Sequence, residues 1–219
     1  MSLVPIISDE DASPEARTLF EHSKKMYGRV ANAVRVAANT PRIAQVLFGF
    51  IVASQRQEIS GLLSSRIKAL VTLKTSLLNG CKYWTSHKQT LGRALGFSEE
   101  LLQAIDENYR DTDELSPDEK AAIRWAEVVT DKLYQAGPGR PSQSPEAMAT
   151  LKKYFSDDQI VELTLAIGHF NFWNRFTDSL EIDLEDHKVQ NKFGKSTVID
   201  VNDYKSFMND CWWNDKNEE

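Results

Sequence analysis

Cysteine is scarce in this sequence, which has only Cys81 and Cys211 among its 219 residues. Two thiols are too few for a disulfide framework, so we expect a reducing, cytoplasmic environment. Together with four histidines at irregular spacings, they form no metal-binding signature. We therefore expect neither a metal ion nor another cofactor.

Membrane-spanning runs and basic clusters are missing as well. The longest unbroken apolar stretch, VLFGFIVA at 46–53, is far shorter than the roughly 20 residues that cross a bilayer, so no membrane partner is expected. The N-terminal MSLVPIISDEDASPEA has no basic start and no long apolar run, which argues against a signal peptide. The net charge is −6 and Lys and Arg are scattered, which argues against a nucleic-acid partner.

Strand-like alternation is nearly absent, and TVIDV at 197–201 is the one candidate for an extended segment. Apolar residues recur instead at helical spacing, as in Ile160, Leu163, Ile167 and Phe170. The sequence therefore predicts an all-α fold. The predicted helices lie near 14–27, 31–38, 41–57, 62–78, 82–95, 99–108, 117–135, 145–154 and 157–179.

Helix starts are marked by residues that suit an N-cap. A serine or threonine precedes a proline at four places, and the expected caps are Ser13, Thr40, Ser116 and Ser144. Two capping boxes are also predicted, because a glutamate or glutamine follows a serine by three positions at 116–119 and at 156–159.

The helical pattern fades near residue 190, which sets the expected domain boundary. We predict one helical domain over residues 1–190, because the Gly- and Pro-rich segment 136–144 is too short for a confident linker. A tail over 191–219 follows and carries CWW at 211–213. Exposed tryptophans are costly in water, so we expect this tail to dock on the body or on a neighbouring subunit.

The segment NGCKYWTSHKQ at 79–89 is the strongest chemical signal. Asn79 and Gly80 predict a helix stop, after which Cys81 begins the next helix. The positive end of the helix dipole favours a thiolate there, although a buried structural cysteine is the alternative. Helical spacing places Lys88 on the side of Cys81 and His87 on another side.

Neighbours in the same helix complete the candidate pocket. Trp84 and Thr85 share the side of Cys81, whereas Tyr83 lies under His87. Each has an ordinary structural explanation: tryptophan packs in a core, a lone histidine is commonly a capped or surface residue, and a lysine sits on a solvated face.

A second polar pattern lies within GHFNFWNRFTD at 168–178. Asn171, Asn174, Arg175 and Asp178 share one face of an otherwise apolar helix and must be satisfied by partners. We favour a structural hydrogen-bond network or a subunit interface. The functional alternative is an anion site that uses Arg175, with His169 nearby.

With these residues in view, the chain resembles the carboxymuconolactone decarboxylase and alkylhydroperoxidase D (AhpD) superfamily, in its peroxidase-related branch. The likeness covers about residues 14–185. It is carried by YGRVANAVRVAANTP at 27–41, by 66–105 around NGC, and by the segments 115–130 and 155–182. The resemblance implies an AhpD-like helical bundle that forms a dimer, trimer or hexamer.

The resemblance also implies a catalytic pattern of Glu, Cys-x-x-Cys and His. Carried over residue by residue, the Glu position holds Ala69, the first Cys is Cys81, the second is Trp84 and the His is Lys88. Only Cys81 and the neighbouring His87 are kept. A two-thiol peroxide cycle needs a sulfur where Trp84 stands, so that cycle is expected to be lost.

These observations favour a cofactor-free enzyme that acts on a small aromatic or carboxylated molecule by acid/base chemistry, in the lyase, isomerase or decarboxylase sense. We expect His87 as acid or base, Lys88 as anion anchor and Cys81 beside them. The expected substrate-binding residues are Tyr83, Trp84, Thr85, His169, Asn171 and Arg175. Two alternatives stay open: a thiol peroxidase that uses Cys81 alone, with Cys211 or an external thiol resolving it, and a non-catalytic binding or assembly protein.

Overall fold

The computed structural model describes residues 2–190, 192 and 197–214. Within these residues the chain forms helices and no strand, which confirms the all-α prediction. The first half of the chain contains α1 Pro14–Tyr27, α2 Asn32–Ala37, α3 Pro41–Gln55, α4 Gln57–Ser60, α5 Ser65–Leu78, α6 Lys82–Ala94 and α7 Glu99–Glu107. The second half contains α8 Pro117–Thr130, α9 Ser144–Leu151, α10 Asp157–Ser179, α11 His187–Gln190 and α12 Val201–Asn209, followed by a 3₁₀ turn at Trp212–Asn214.

Most of the predicted helix starts are confirmed. The Ser13 hydroxyl accepts a hydrogen bond from the Ala16 amide, and both capping boxes are formed, at α8 and at α10. Thr40 is the N-cap residue of α3, as predicted, although its side chain makes no capping hydrogen bond. One cap was predicted wrongly: Ser144 lies inside α9, because Gln143 occupies the N-cap position.

Several helix boundaries also differ from the prediction. The long third helix ends at Gln55 and is followed by the separate short helix α4, while α8 ends at Thr130. The predicted extended segment at 197–201 is not a strand: Val201 begins α12, which Asp200 caps through its side chain. Only Phe207 is buried in this helix.

Helix α5 lies at the centre of the bundle and packs against α6, α8 and α10. Nine consecutive residues of it, from Lys68 to Ser76, are buried, so it is apolar or internally bonded on every side. The C-terminal helix α12 packs on α1 and α3. Its Phe207 is fully buried edge-to-face against Phe48, with ring centroids 5.1 Å apart.

Large apolar side chains remain exposed along α3 and α10. They are Ile43, Val46, Phe50, Val161, Leu165 and Phe172. No helix among the described residues is long and apolar enough to span a bilayer.

Two helical glycines make a matched test of the packing. A Cβ on Gly92 in α6 would lie 2.7 Å from the Phe97 ring, whereas a Cβ on Gly168 in α10 would meet nothing within 4 Å. We expect Gly92→Ala to lose about 1–3 kcal/mol of unfolding free energy through overpacking. Gly168→Ala should instead be neutral or gain up to about 1 kcal/mol from helix propensity. Urea denaturation of both variants checks this, and equal effects would contradict the described α6 packing.

Candidate functional site

Cys81 is the N-cap residue of α6, as predicted, but its thiol is fully buried in the core. It has no exposed surface, and its Sγ lies 3.5 Å from the Thr177 hydroxyl oxygen. Burial raises the pKa of the Cys81 thiol to about 11, which outweighs any gain from the helix dipole. The thiolate that the helix start suggested is therefore not favoured.

Cys211 is equally removed from redox chemistry. It is fully buried, its thiol lies 3.1 Å from the Phe207 carbonyl oxygen, and burial raises its pKa to about 12. It packs in the cluster of α1, α3 and α12, whereas Cys81 packs with Trp84 and Trp173 in a different cluster. This arrangement offers no support for the resolving role considered above.

Trp84 is a wall of the site and is held in one orientation. Its indole N–H donates to the Trp173 carbonyl at 3.2 Å, and its ring lies edge-to-face on Phe170 at 5.2 Å. The same face of α6 carries His87, which stacks on Tyr83 at 4.4 Å, as helical spacing predicted. A bulky aromatic group therefore occupies the position where the resemblance puts a reacting sulfur.

His87 is held by a buried carboxylate that the sequence did not reveal. Its Nε2 lies 2.7 Å from Glu185 Oε2, and its Nδ1 lies 3.1 Å from Arg29 Nη2. Arginine can only donate, so the hydrogen-bond pattern assigns Nδ1 as the acceptor and Nε2–H as the donor to Glu185. Both ring nitrogens are occupied, and the imidazole is neutral in this arrangement.

Glu185 is the centre of this buried network. It also accepts from the Tyr83 hydroxyl at 2.6 Å and from the Asn32 amide at the start of α2, and Arg29 Nη1 lies 3.6 Å away. Burial alone would raise the pKa of Glu185, but the bonds from His87 and Tyr83 and the Arg29 charge lower it to about 2. Burial lowers the pKa of His87, against the opposing pull of Glu185.

Lys88 is buried rather than solvated. Its Nζ donates to Gln55 Oε1 at 2.7 Å and lies 4.1 Å from the centroid of the Phe170 ring. No carboxylate among the described residues forms an ion pair with it. Burial, with the nearby positive charge of Arg56, sets its pKa well below that of an ordinary lysine. Lys88 therefore holds its proton less tightly than an exposed lysine does.

Arg56, just past the end of α3, supplies a second buried cation. It is 1% exposed, its guanidinium lies over the Tyr27 ring at 5.2 Å, and its Nε and Nη1 have no hydrogen-bond partner among the described residues. A buried guanidinium with unused donors is a costly arrangement that an anion would relieve.

These groups surround a cavity of about 50 Å³ between α1, α2, α3, α6 and α10. Its polar wall contains Arg29, Gln55, Arg56, His87 and Lys88. Its apolar wall contains Tyr27, Ala31, Val34, Phe48, Ile51, Trp84 and Phe170. Three of the predicted site residues, Trp84, His87 and Lys88, therefore line one cavity.

The other predicted residues do not line it. Tyr83 lies behind the lining, where it stacks on His87 and donates to Glu185, and Thr85 is half-buried outside the lining. His169 accepts from the Trp173 indole at its Nε2, so its Nδ1 carries the proton and donates to Ser54 Oγ at 3.1 Å. Burial lowers the pKa of His169 to about 4, and this tautomer cannot activate Ser54.

The polar stripe on α10 is a structural network. Asn171 and Asn174 both accept from the Asn79 amide, at 3.1 and 2.9 Å, which ties α10 to the end of α5. Arg175 is exposed and bonds Asn171 within its own helix. The anion site considered at Arg175 and His169 is therefore corrected: these two side chains neither meet nor reach the cavity.

Comparison with known proteins is consistent with this fold. The chain is 26% identical over 110 residues, half of this chain and 70% of the other, to the uncharacterized protein YdfG of Bacillus subtilis (strain 168). No family model matches the chain.

Solved structures give the fold. A peroxidase-related protein from Silicibacter sp. TM1040 matches with TM-score 0.71 and 17% identity over 88% of this chain and 95% of that one. The Agrobacterium tumefaciens protein ATU0492, a putative antioxidant defence protein AhpD by its description, matches with TM-score 0.58 and 27% identity over 69% and 96%. The debrominase Bmp8 matches with TM-score 0.68 and 18% identity over 90% and 99%. The chain has the AhpD-like fold, which confirms the resemblance to that superfamily.

The buried thiols lead to a first prediction. In the native protein, Cys81 should react with a thiol-specific disulfide reagent at neutral pH only as fast as the chain opens, because the thiol is inaccessible and protonated. Hydroperoxide consumption with a dithiol reductant should be absent and the same in Cys81→Ser. Turnover that disappears in Cys81→Ser would instead restore the one-cysteine peroxidase.

The buried Glu185 carboxylate leads to a second prediction. Glu185→Gln keeps the shape but removes the negative charge that Arg29 Nη1 faces at 3.6 Å, so we expect a loss of about 3–5 kcal/mol of unfolding free energy at pH 7. Because the folded pKa is depressed, this contribution is present above about pH 4.5 and is lost as the pH falls toward 2. The difference between wild type and variant, measured by urea denaturation, should therefore shrink at pH 3. Glu99→Gln, in an exposed pair with Arg93, is the control and should change little.

Proposed function

We propose that this chain is a cofactor-free enzyme that binds a small organic acid in the cavity beside Trp84 and moves a proton on it with Lys88. One observation carries the proposal: a buried amine without a carboxylate partner and a buried guanidinium with unused donors line the same cavity. Such a pair suits an anion together with acid/base chemistry on it.

The roles of the side chains follow from their contacts. Arg56 holds the carboxylate, because its guanidinium group lines the cavity and carries several N–H donors. Lys88 is the general base, and Gln55 fixes its nitrogen. When Lys88 takes a proton, the Phe170 ring stabilises the ammonium ion through a cation–π contact.

His87 takes a different role from the one expected from the sequence. Its two nitrogens are bound to Glu185 and Arg29, so it supports the wall rather than exchanging protons with a ligand. The acid/base role passes to Lys88, and the anion-binding role passes from Lys88 to Arg56.

The cavity volume favours a carboxylated substrate over an aromatic one. An apolar cavity of about 150 Å³ is what holds a benzene ring in a protein core. The present cavity has about a third of that volume, which suits an acid of a few heavy atoms. The neighbour Bmp8, known in complex with 2,3,4-tribromopyrrole, shows that this fold admits a small-molecule site, at 18% identity.

The test uses a panel of short organic acids and the matching neutral amides. We expect acids, but not amides, to raise the melting temperature, and the enzyme to catalyse exchange of acidic C–H protons for deuterium, followed by NMR. Lys88→Met should lower the exchange rate by about 10²-fold or more. Arg56→Met should weaken binding about 10-fold or more. Lys82→Met on the exposed start of α6 and Arg175→Met on α10 are the matched controls.

The pH profile gives a separate prediction. The exchange rate should rise with pH as Lys88 loses its proton and should reach its plateau well below pH 10.5. In Arg56→Met the midpoint should move to higher pH, because a neighbouring positive charge no longer opposes protonation. Binding of acids without any exchange would favour the non-catalytic binding protein, and no binding at all would reject the proposal.

A further inference from the structure

We propose that Lys88 is also a nucleophile, which forms an imine with the carbonyl carbon of a small oxo acid whose carboxylate is held by Arg56. The inference rests on the proposed function, since it keeps the same cavity and the same anion anchor. It names the substrate class and the covalent step.

Lys88 differs from the other buried lysines in the described chain. Lys68 Nζ lies 2.5 Å from Glu162 Oε1, and Lys74 Nζ lies 3.8 Å from Glu127 Oε1 while donating to the Ile105 carbonyl. Each of these two lysines therefore faces a carboxylate. Among the described residues, the Lys88 nitrogen contacts an amide oxygen and a ring face but no carboxylate, and burial lowers its pKa, which favours the neutral amine more than at the other two lysines.

A lysine in an apolar pocket next to another cation is the recognised setting for imine formation. Lys88 has both features, because Phe170 and Trp84 form the apolar wall and Arg56 is the cation. The cation also gives the substrate its orientation. Because Arg56 and Lys88 line the same cavity, a carboxylate on Arg56 and a carbonyl group beside Lys88 can belong to one small molecule.

The step balances without an added oxidant or reductant. The Lys88 lone pair attacks the carbonyl carbon, and one amine proton moves to the carbonyl oxygen to give a carbinolamine. The second amine proton leaves with that hydroxyl as water, and the C=N bond forms. The imine nitrogen takes a proton from the water released in this step and becomes an electron sink. The resulting hydroxide takes a proton from the C–H bond on the next carbon, which forms the enamine and regenerates the water. Reversal with water restores the amine.

The small cavity is compatible with a covalent ligand. Bond formation brings the carbonyl carbon closer to Nζ than contact distance allows, so an oxo acid needs less free volume as an imine than as a separate molecule. Binding should therefore fall with chain length, from glyoxylate to pyruvate to longer 2-oxo acids.

The experiment is reductive trapping on the wild-type protein. The chain is incubated with glyoxylate or pyruvate and cyanoborohydride, and adducts are counted by intact mass and located by peptide mapping. We expect one saturable adduct per chain at Lys88. An excess of a short carboxylic acid that lacks an aldehyde or ketone group should suppress it. Lys88→Arg should lose this adduct, while Lys82→Met should keep it.

Two results would overturn the inference in distinguishable ways. If pyruvate stabilises the fold and exchanges its methyl protons but leaves no adduct on Lys88, the lysine is a base only and the proposed function stands alone. If adducts spread over exposed lysines and no acid stabilises the fold, both proposals fail. Because mapping on the wild type needs no variant, a poorly folded Lys88→Arg does not affect the conclusion.

Discussion

The buried carboxylate of Glu185 is the interaction on which the candidate site depends. It joins three segments that are remote along the chain: the loop after α10, the start of α2 and the inner face of α6. A lone carboxylate in that position would be very costly, and each of its partners offsets part of the desolvation. The network also fixes which nitrogen of His87 carries the proton. The part of the polar wall formed by His87 and Arg29 therefore has a defined arrangement of charge.

Beside this neutralised part, the rest of the polar wall keeps an excess of positive charge. Arg29 is balanced by Glu185, whereas Lys88 and Arg56 have no carboxylate in ion-pair contact among the described residues. Two buried cations at close range are unfavourable, and burial together with the Arg56 charge lowers the pKa of Lys88. The lowered pKa of Lys88 therefore both reduces the cost of a second buried charge and favours the chemistry proposed for this residue.

Local features of the chain could be predicted from sequence. Capping serines and prolines gave the starts of α1, α8 and α10, and helical spacing placed His87 over Tyr83. Long-range features could not, because nothing near Glu185 or Arg56 in sequence shows that they meet α6. The Cys81 thiol shows the limit most clearly: its helix start was predicted correctly, but the depth of its burial, which decides its pKa, depends on α10.

The division of the cavity into a polar wall and an apolar wall has a consequence for how such a site evolves. The charged groups sit on one set of positions, while Ala31, Val34 and Ile51 only take up space. Exchanging one of these aliphatic side chains for a smaller or larger one alters the room for a ligand and leaves the reactive groups in place. Under the proposed function, a chain built this way can move between ligands of different length by single substitutions that leave the polar wall unchanged.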